Sequence, residues 1–569
     1  MDILSRMVPG KGPNMILAVD GGGALSLDLS PVDLVLMVIY FSFVLGIGFA
    51  LKRAVKSSLD FFLSGRSLPA WVTGIGFISA NIGAVELLGQ SASGAQYGSA
   101  MVHYFWIGAI PAMVFLGIVM MPFYYGSKVR SVPEYLRLRF DPKAHLINAI
   151  TFVVGSMLIA GVNLYALSIV LEALLGIKLI LAIMLAAVFV LSYILLGGLT
   201  SAIYNEVMQF FVVLIGMVPL TIIAIKETGG LHQLFAKLGA AHGSSFVHPW
   251  SGTGIGGSNP VGDWIGIILG LAFCLSFGYW TTNFAEVQRA MAAKDGNSAR
   301  LTPIIGAYPK SLVPLITILP GMAALVLLPG IGTSASGLEY NDAIPALMDK
   351  YLPPGVLGVA VTGLLAAFMA GMAANVSSFN AVFTYDLWQD YIRPGRSDRY
   401  YLVVGRWATV GGVAVAVMTA LIASGFSNIS NYLQTLFSFF NVPLFCAFII
   451  GMFWKRATRS AGFWGILAGT VAAVTVYALY KFDVLAFRSD LHETMWGSIA
   501  AFTAGAIAMV LASSRETRKT DEELHGLVYG MEIRDASDLA ARPWYRSPVV
   551  LGIGVLVLNA GLYVAVYVI

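Results

Sequence analysis

Long apolar stretches separated by short polar segments recur along almost the whole chain. Fourteen of them reach about 18 residues or more, the length that an α-helix needs to cross the hydrocarbon core of a bilayer. They lie at 33–51, 71–98, 100–126, 147–174, 177–197, 202–225, 263–281, 303–328, 355–384, 403–424, 429–453, 459–480, 493–512 and 547–569. The pattern predicts an all-α polytopic membrane protein with about fourteen transmembrane helices.

Composition agrees with this prediction. Hydrophobic residues make up 58% of the chain, charged residues make up 11%, and the mean hydropathy is +0.79, whereas soluble domains contain about 25% charged residues. A soluble core could not bury so much apolar surface. Cys274 and Cys446 lie inside predicted spans without metal-like spacing, so we expect both to pack as small hydrophobic residues.

Basic residues are distributed unevenly between the two sides of the predicted spans. If the N-terminus lies outside, 24 of the 34 Lys and Arg residues fall on inner loops and 8 on outer ones. The positive-inside rule then predicts a multi-pass protein of the cell membrane, embedded in lipid, with both termini extracytoplasmic. We expect residues 1–32 to form an uncleaved outer tail and residues 513–546 to form a cytoplasmic loop. The net charge of +4 therefore reflects topology, and no nucleic-acid partner is expected.

Two full charges, Glu86 and Lys310, lie within predicted spans. A charge at bilayer depth costs a few kcal/mol even on the lenient insertion scale, so such residues are rare and usually functional. Small residues, Gly and Pro interrupt the apolar pattern around both of them. This is typical of broken helices that line a cavity.

Two predicted spans have polar residues crowded at one depth. In the first, Ser79, Asn81, Gly83 and Gly89 surround Glu86. In the second, covering 271–294, the crowded residues are Ser276, Gly278, Tyr279, Thr281 and Thr282. These segments lie five spans apart. Two repeats of five helices in opposite orientation, each opening with a broken helix, are expected of an inverted-repeat transporter with its site at the midplane.

Six ordered motifs resemble the sodium/solute symporter family, most closely its sodium/glucose cotransporter branch with the bacterial galactose carriers. They are LSGRSLPAWVTGIGFISANIG (63–83), GGLTSAIYNEVMQ (197–209), QRAMAAK (288–294), LPGMAAL (319–325), NVSSFNAVFTYDLW (375–388) and GMFWKRATRSAGFWGILAG (451–469). The resemblance implies a LeuT-like 5+5 inverted-repeat core at 71–453, preceded by one helix at 33–51 and followed by three helices within 459–569. It also implies import of a solute down an ion gradient by alternating access.

The resemblance further implies a sugar site. Lys310 and Gln434 match the residues that hydrogen-bond sugar hydroxyls in that branch, and Tyr279 and Trp280 match its aromatic pair. A sugar ring has an apolar face and a rim of hydroxyls, so aromatic rings with charged and amide donors suit it. We add Ser276 and Glu86 to the candidate substrate-binding set.

Two groups of positions depart from the family pattern. Glu86 replaces a neutral or imidazole hydrogen-bonding residue, and Phe105 stands where the sugar branch has a glutamate. The substrate is therefore expected to be a monosaccharide that differs from those of the known carriers.

The second departure concerns the sodium ligands. The resemblance implies a site formed by backbone carbonyls near Ser79, Ile82 and Ala367 and by two hydroxyls on the eighth core helix, but those two positions are Ala370 and Gly371. Sodium, as a hard cation, prefers several oxygen ligands. We therefore expect weakened sodium dependence.

Three functions remain open from the sequence. The first is a sodium-coupled monosaccharide symporter, and the second is a proton-coupled or uncoupled carrier of the same fold in which Glu86 carries the proton. The third is a membrane sensor that binds solute without transporting it. An enzyme is not expected, because the sequence has no nucleophile–base pair or cluster of metal ligands. No tightly bound cofactor is expected, with sodium or a proton as the possible coupling ion.

Overall fold

The computed structural model describes residues 29–51, 63–333, 336–425, 428–531 and 543–568. Most of the predicted outer tail, and residues 532–542 of the predicted cytoplasmic loop, lie outside these ranges. The described residues are overwhelmingly helical, and their extended pairing is limited to the single bridge between Leu68 and Ala293. The all-α prediction is confirmed.

The long apolar helices of the described residues are numbered in chain order. They are α1 (Pro31–Leu51), α2 (Ala70–Asn81), α3 (Val85–Met101), α4 (Tyr104–Gly126), α5 (Pro142–Leu175), α6 (Leu179–Glu227), α7 (Gly266–Thr282), α8 (Phe284–Met291), α9 (Gly296–Leu327), α10 (Val356–Ile392), α11 (Asp398–Ala423), α12 (Ile429–Phe453), α13 (Ala461–Lys481), α14 (Asp490–Ser513) and α15 (Pro548–Val568).

Within the described ranges, ten helices are long and apolar enough to cross a membrane, and two bent pairs raise the number to twelve if each pair is one span. The predicted spans 177–197 and 202–225 belong to one helical element, α6, of 49 residues. A straight helix of that length would extend about 70 Å, more than twice the hydrocarbon thickness. The total of fourteen spans therefore stays a prediction.

The broken helices pack closely against α9. On α2, the Thr73 hydroxyl lies 2.6 Å from that of Thr302, and Gly74 leaves room for Ile305, because a Cβ at Gly74 would lie 2.8 Å from that side chain. On α3, the Ser91 hydroxyl donates to the Thr317 carbonyl at 2.9 Å. The two halves of the first broken helix are thus held by a single long neighbour, which also carries Lys310.

The half-helices α2 and α8 are joined by backbone bonds just outside the helices. Leu68 donates its N–H to the Ala292 carbonyl at 3.2 Å and accepts from the Lys294 N–H at 2.9 Å. A backbone bridge of this kind fixes the position of both half-helices without using side chains. It places the two breaks of the fold on neighbouring elements.

Helix α10 packs on α6 through small residues, because a Cβ at Gly216 would lie 2.6 Å from the Ala360 Cα. Its N-terminus is capped from α1, where the fully buried Asp33 carboxylate accepts from the N–H groups of Gly355 at 2.7 Å and Gly358 at 2.6 Å. A carboxylate at a helix N-terminus satisfies its unpaired N–H groups. Helix α1 is therefore fastened to α10.

Candidate functional site

The first broken span is formed by α2 and α3, which meet at 58°. Regular helix stops at Asn81, Ile82 has non-helical backbone angles (φ −73°, ψ 67°), and a π-turn at Val85–Gly89 follows. Glu86 lies in that π-turn, a local geometry that is common at functional sites. The break predicted around Glu86 is confirmed.

The second broken span is formed by α7 and α8, which meet at 48°. The break falls at Asn283, whose side-chain oxygen caps α8 by accepting from the Ala285 N–H at 3.0 Å. It therefore follows the predicted polar cluster, because Thr281 and Thr282 return their hydroxyl bonds to carbonyls one turn back and stay helical. The position of the break is therefore marked by an Asn that can cap the second half-helix. The cluster of hydroxyl residues does not mark it.

Glu86 and Lys310 form a buried ion pair. Lys310 Nζ lies 2.9 Å from Glu86 Oε1, and the two side chains are 0% and 1% exposed. The same ammonium donates to the Asn81 Oδ1 and lies 4.8 Å from the ring centre of Phe105 and 5.2 Å from that of Trp280. The two charges cancel each other inside the protein, and the aromatic faces add cation–π attraction.

The pairing accounts for the first departure from the family pattern. The carboxylate that faces Lys310 comes from Glu86 on α3, and Phe105 on α4 presents a ring to the same ammonium. Lysine thus keeps one anionic partner after the change at position 105. The structure thus brings into contact the two charges that the sequence places within predicted spans.

Tyr279 lies at the centre of a polar chain that reaches Lys310. Its hydroxyl accepts from Asn81 Nδ2 at 3.0 Å and donates to Glu286 Oε1 at 2.7 Å. Its ring lies 4.5 Å from that of Phe437 on α12 and meets Trp280 edge-on at 5.3 Å. Tyr279 therefore joins both broken spans to α12 at one level.

A crevice opens next to this aromatic layer. It is lined by α5, α8's cap, α10 and α12, through residues that include Thr151, Asn283, Asn375, Phe437 and Asn441. Phe437 belongs both to the crevice wall and to the contact with Tyr279. The Tyr279–Phe437 pair thus lies between the crevice and the buried charges.

Gln434, Ser276 and Glu86 carry buried polar atoms without hydrogen-bond partners. These are both amide atoms of Gln434, the Ser276 hydroxyl and the two Glu86 oxygens, of which Oε1 forms the ion pair with Lys310. The three residues are 1%, 3% and 1% exposed. The Tyr104 hydroxyl lies beside the Gln434 amide, and Tyr104 also adjoins Glu86. Orphaned buried polar groups are rare in native proteins and call for a functional explanation.

Ser276 faces α4 rather than the ion pair directly. A Cβ at Gly108 would lie 2.3 Å from the Ser276 hydroxyl, and Gly108 follows Phe105 by nearly one helical turn. Ser276 therefore lies on the same side of α4 as the ring over Lys310. All six predicted substrate-binding residues are buried and lie on α3, α7, α9 and α12.

Three of the predicted sodium ligands, Ser79, Ile82 and Gly371, lie at or against the break of the first span. Ser79 and Ile82 lie at the end of α2, and Ala367, Ala370 and Gly371 are buried on α10. A Cβ at Gly83 would lie 3.4 Å from the Gly371 Cα, so α10 touches the break directly. Ser378 lies about two helical turns after Gly371 on α10, and its hydroxyl donates to the Ala374 and Asn375 carbonyls of the same helix.

Sequence reasoning missed Asn163 on α5. Its Oδ1 accepts from the Ala84 N–H at 3.1 Å, and its Nδ2 donates to the Ile159 carbonyl at 3.1 Å. A buried amide in a long apolar helix is itself a signal, since polar groups in spans are seldom idle. The sequence does not indicate which distant segment the Asn163 amide contacts.

Glu206 and Arg289 form another buried pair, with Arg289 Nη2 2.5 Å from Glu206 Oε1. The pair joins α6 to α8, and Glu206 also lies against Gly76 of α2. Glu206 therefore contributes to the packing of α2, α6 and α8. The carboxylate is held by its own partner and is no part of the Lys310 cluster.

Comparison with known proteins identifies relatives of this arrangement. Residues 61–469 match the model of the sodium:solute symporter family. The sodium/glucose cotransporter of Vibrio parahaemolyticus is 30% identical over 523 residues, which cover 88% of this chain and 93% of that protein. The sodium/myo-inositol cotransporter 2 of Homo sapiens is 29% identical over 471 residues, which cover 78% of this chain and 69% of the relative.

A solved structure supports the same fold. The substrate-bound, outward-open form of a Na+-coupled sialic acid symporter gives a TM-score of 0.72 at 19% sequence identity, covering 87% of this chain and 100% of that one. At this identity the similarity concerns the fold alone. It agrees with the LeuT-like fold class expected from the sequence.

Proposed function

The chain belongs to the sodium:solute symporter family, and from this premise we propose that its buried site carries a neutral, polyhydroxylated solute, most simply a monosaccharide. Members of the family couple solute transport to sodium, and they are transporters rather than enzymes. The protein is accordingly a multi-pass membrane transporter. The identity of the solute and its import are the parts that we propose.

The unpartnered polar atoms of Gln434 and Ser276 carry the proposal. They are fully buried amide and hydroxyl groups, and a solute with several hydroxyls can satisfy both donors and acceptors at once. Trp280 and Tyr104 supply aromatic surface beside them, which suits the apolar face of a sugar ring. The sugar and inositol carriers among the relatives are consistent with this class of solute.

The ion pair argues for a neutral solute. Glu86 already neutralises Lys310 at 2.9 Å, so an acidic solute would have to displace a buried carboxylate, and a basic solute would have to displace a buried ammonium. Both exchanges leave one charge without a partner, at a cost of several kcal/mol. Hydroxyl groups can bond to both members of the pair without separating them.

We also propose the architecture expected from the sequence: a ten-helix core at 71–453, one helix before it, three helices after it, and extracytoplasmic termini. The uneven distribution of basic residues supports this orientation.

The test is counterflow of labelled glucose, galactose and myo-inositol into liposomes containing the purified protein, with sodium chloride replaced by choline chloride in parallel. Saturable, sodium-stimulated exchange of at least one of these solutes is expected. The matched pair of variants is Lys310→Ala in the site and Lys481→Ala in an exposed ion pair. Exchange should be lost only in the first.

Two outcomes would oppose the proposal. Binding of a solute without any counterflow would indicate a sensor. Exchange that follows a pH gradient and ignores sodium would favour the second candidate, a proton-coupled carrier, for which the buried carboxylate of Glu86 is the supporting observation.

A further inference from the structure

Asn163 lies where three helices meet at the break of the first span. Its amide oxygen accepts from the Ala84 N–H at the start of the second half-helix. A Cβ placed at Gly83 would lie 2.6 Å from this oxygen, and a Cβ placed at Gly371 would lie 2.4 Å from it. The oxygen is therefore wedged between the backbone of the break and that of α10.

This position is available only because residues 83 and 371 are both glycine. Real Cβ atoms essentially never approach another atom to below 3.0 Å, so any side chain at either position would push the amide away. The hydroxyl that the family pattern leads one to expect at 371 is thus absent for a steric reason. The space that such a side chain would fill holds the Asn163 oxygen.

The chemistry of the amide oxygen matches the group that it displaces. A side-chain carbonyl oxygen has two lone pairs, and the Ala84 N–H uses one of them. It is a neutral, hard ligand of the kind that alkali and alkaline-earth cations prefer. Asn163 is 3% exposed, and its Nδ2 is anchored by the Ile159 carbonyl, which keeps the oxygen turned toward the break.

We propose that Asn163 Oδ1 is the side-chain ligand of the coupling sodium ion in this protein, acting together with backbone carbonyls at Ser79, Ile82 and Ala367. This inference rests on the sodium coupling of the proposed function, and it names the side chain that would bind the ion. The ligand comes from α5 instead of α10. The ion would then join α5 and α10 to the broken span.

The position of Asn163 reverses the effect on sodium binding that is expected when a hydroxyl is introduced at residue 371. Judged from the sequence alone, Ser at 371 would strengthen sodium binding. In the structure, Gly371→Ser would place its Cβ against the Asn163 oxygen, so the single change should weaken sodium binding. Combining it with Asn163→Ala removes the clash and exchanges an amide ligand for a hydroxyl.

Sodium itself is the probe, so that the solute need not be known. The melting temperature of the full-length protein in detergent is measured against sodium chloride concentration, with choline chloride holding ionic strength constant. Selective binding to the folded state raises the melting temperature as the ion concentration passes its dissociation constant. The wild type should show a saturable rise.

Four variants make the test specific. Asn163→Ala and Gly371→Ser should each raise the half-saturating sodium concentration about tenfold or more, and the double variant should recover most of that loss. Asn163→Asp, which keeps the oxygen and adds a negative charge, should lower it. The matched control is Asn148→Ala, a second buried asparagine on α5, which should leave the sodium response unchanged.

An unchanged sodium response in Asn163→Ala, a double variant no better than Asn163→Ala, or a weaker response in Asn163→Asp would each overturn the inference. So would a wild type whose melting temperature ignores sodium while solute counterflow persists. In that last case solute carriage survives and only the cation assignment fails. A sodium response that persists in a protein without solute exchange would instead count against the proposed solute site.

Discussion

At the scale of single residues, Gln434 offers the cleanest test of the solute site. Its amide makes no hydrogen bond of good geometry and has the Tyr104 hydroxyl beside it, so Gln434→Ala should change the melting temperature little. Solute affinity should fall about ten- to hundredfold through the loss of hydrogen bonds to hydroxyls. Binding of the solute identified by counterflow is the measurement. Gln233→Ala, at an exposed position, is the control, and equal affinity in both variants would remove Gln434 from the site.

The Glu86–Lys310 pair calls for a different experiment, because each charge stabilises the other. Removing one member of a buried pair costs about 3–5 kcal/mol, whereas replacing both members is often nearly neutral. Lys310→Ala should therefore lower the melting temperature more than Glu86→Gln combined with Lys310→Ala. Loss of transport in Lys310→Ala has to be judged beside this destabilisation. If the single and double variants melt together, the two charges are not coupled.

At the scale of elements, Tyr279 connects the two broken spans and α12. Tyr279→Phe loses the bonds to Asn81 and Glu286, about 1–3 kcal/mol, but keeps the ring contacts with Phe437 and Trp280. Tyr279→Ala loses both and opens the layer beside the crevice. Counterflow should therefore fall further in the Ala variant. Tyr545→Phe, at an exposed tyrosine, is the control, and equal impairment of Phe and Ala would assign the function to the hydroxyl alone.

Much of this element structure can be predicted from sequence, because length and apolar content determine whether a helix can cross a bilayer. The break at Ile82–Ala84 is visible in the small and polar residues around Glu86. The break at Asn283 lies inside the predicted discontinuous segment 271–294, but the polar residues of that segment do not show its position, since Thr281 and Thr282 satisfy their hydroxyls within the helix. Continuous helix through α6 was also unexpected.

Contacts between residues far apart in the sequence are harder to predict than the helices themselves. Lys310 and Glu86 could be paired because two unlike charges in lipid favour contact. Asn163 could not be placed against Gly83 and Gly371, because a neutral amide has no unique partner and the match depends on two missing side chains. The cation assignment therefore needed three-dimensional packing.

At the scale of the whole molecule, the distribution of charge makes a prediction about orientation. The predicted inner loops carry 24 of the 34 basic residues, and translocating short basic loops is disfavoured. Ser514, on the segment after α14, should therefore face the cytoplasm. Ser258, on the segment before α7, should face outward. Both are exposed, so each can be replaced by cysteine and labelled.

Cys274 and Cys446 are buried, which leaves little background labelling. A membrane-impermeant maleimide added to intact cells should label Ser258→Cys and not Ser514→Cys. Permeabilised cells should label both, which serves as the control for expression and access. The reverse pattern in intact cells would place both termini in the cytoplasm.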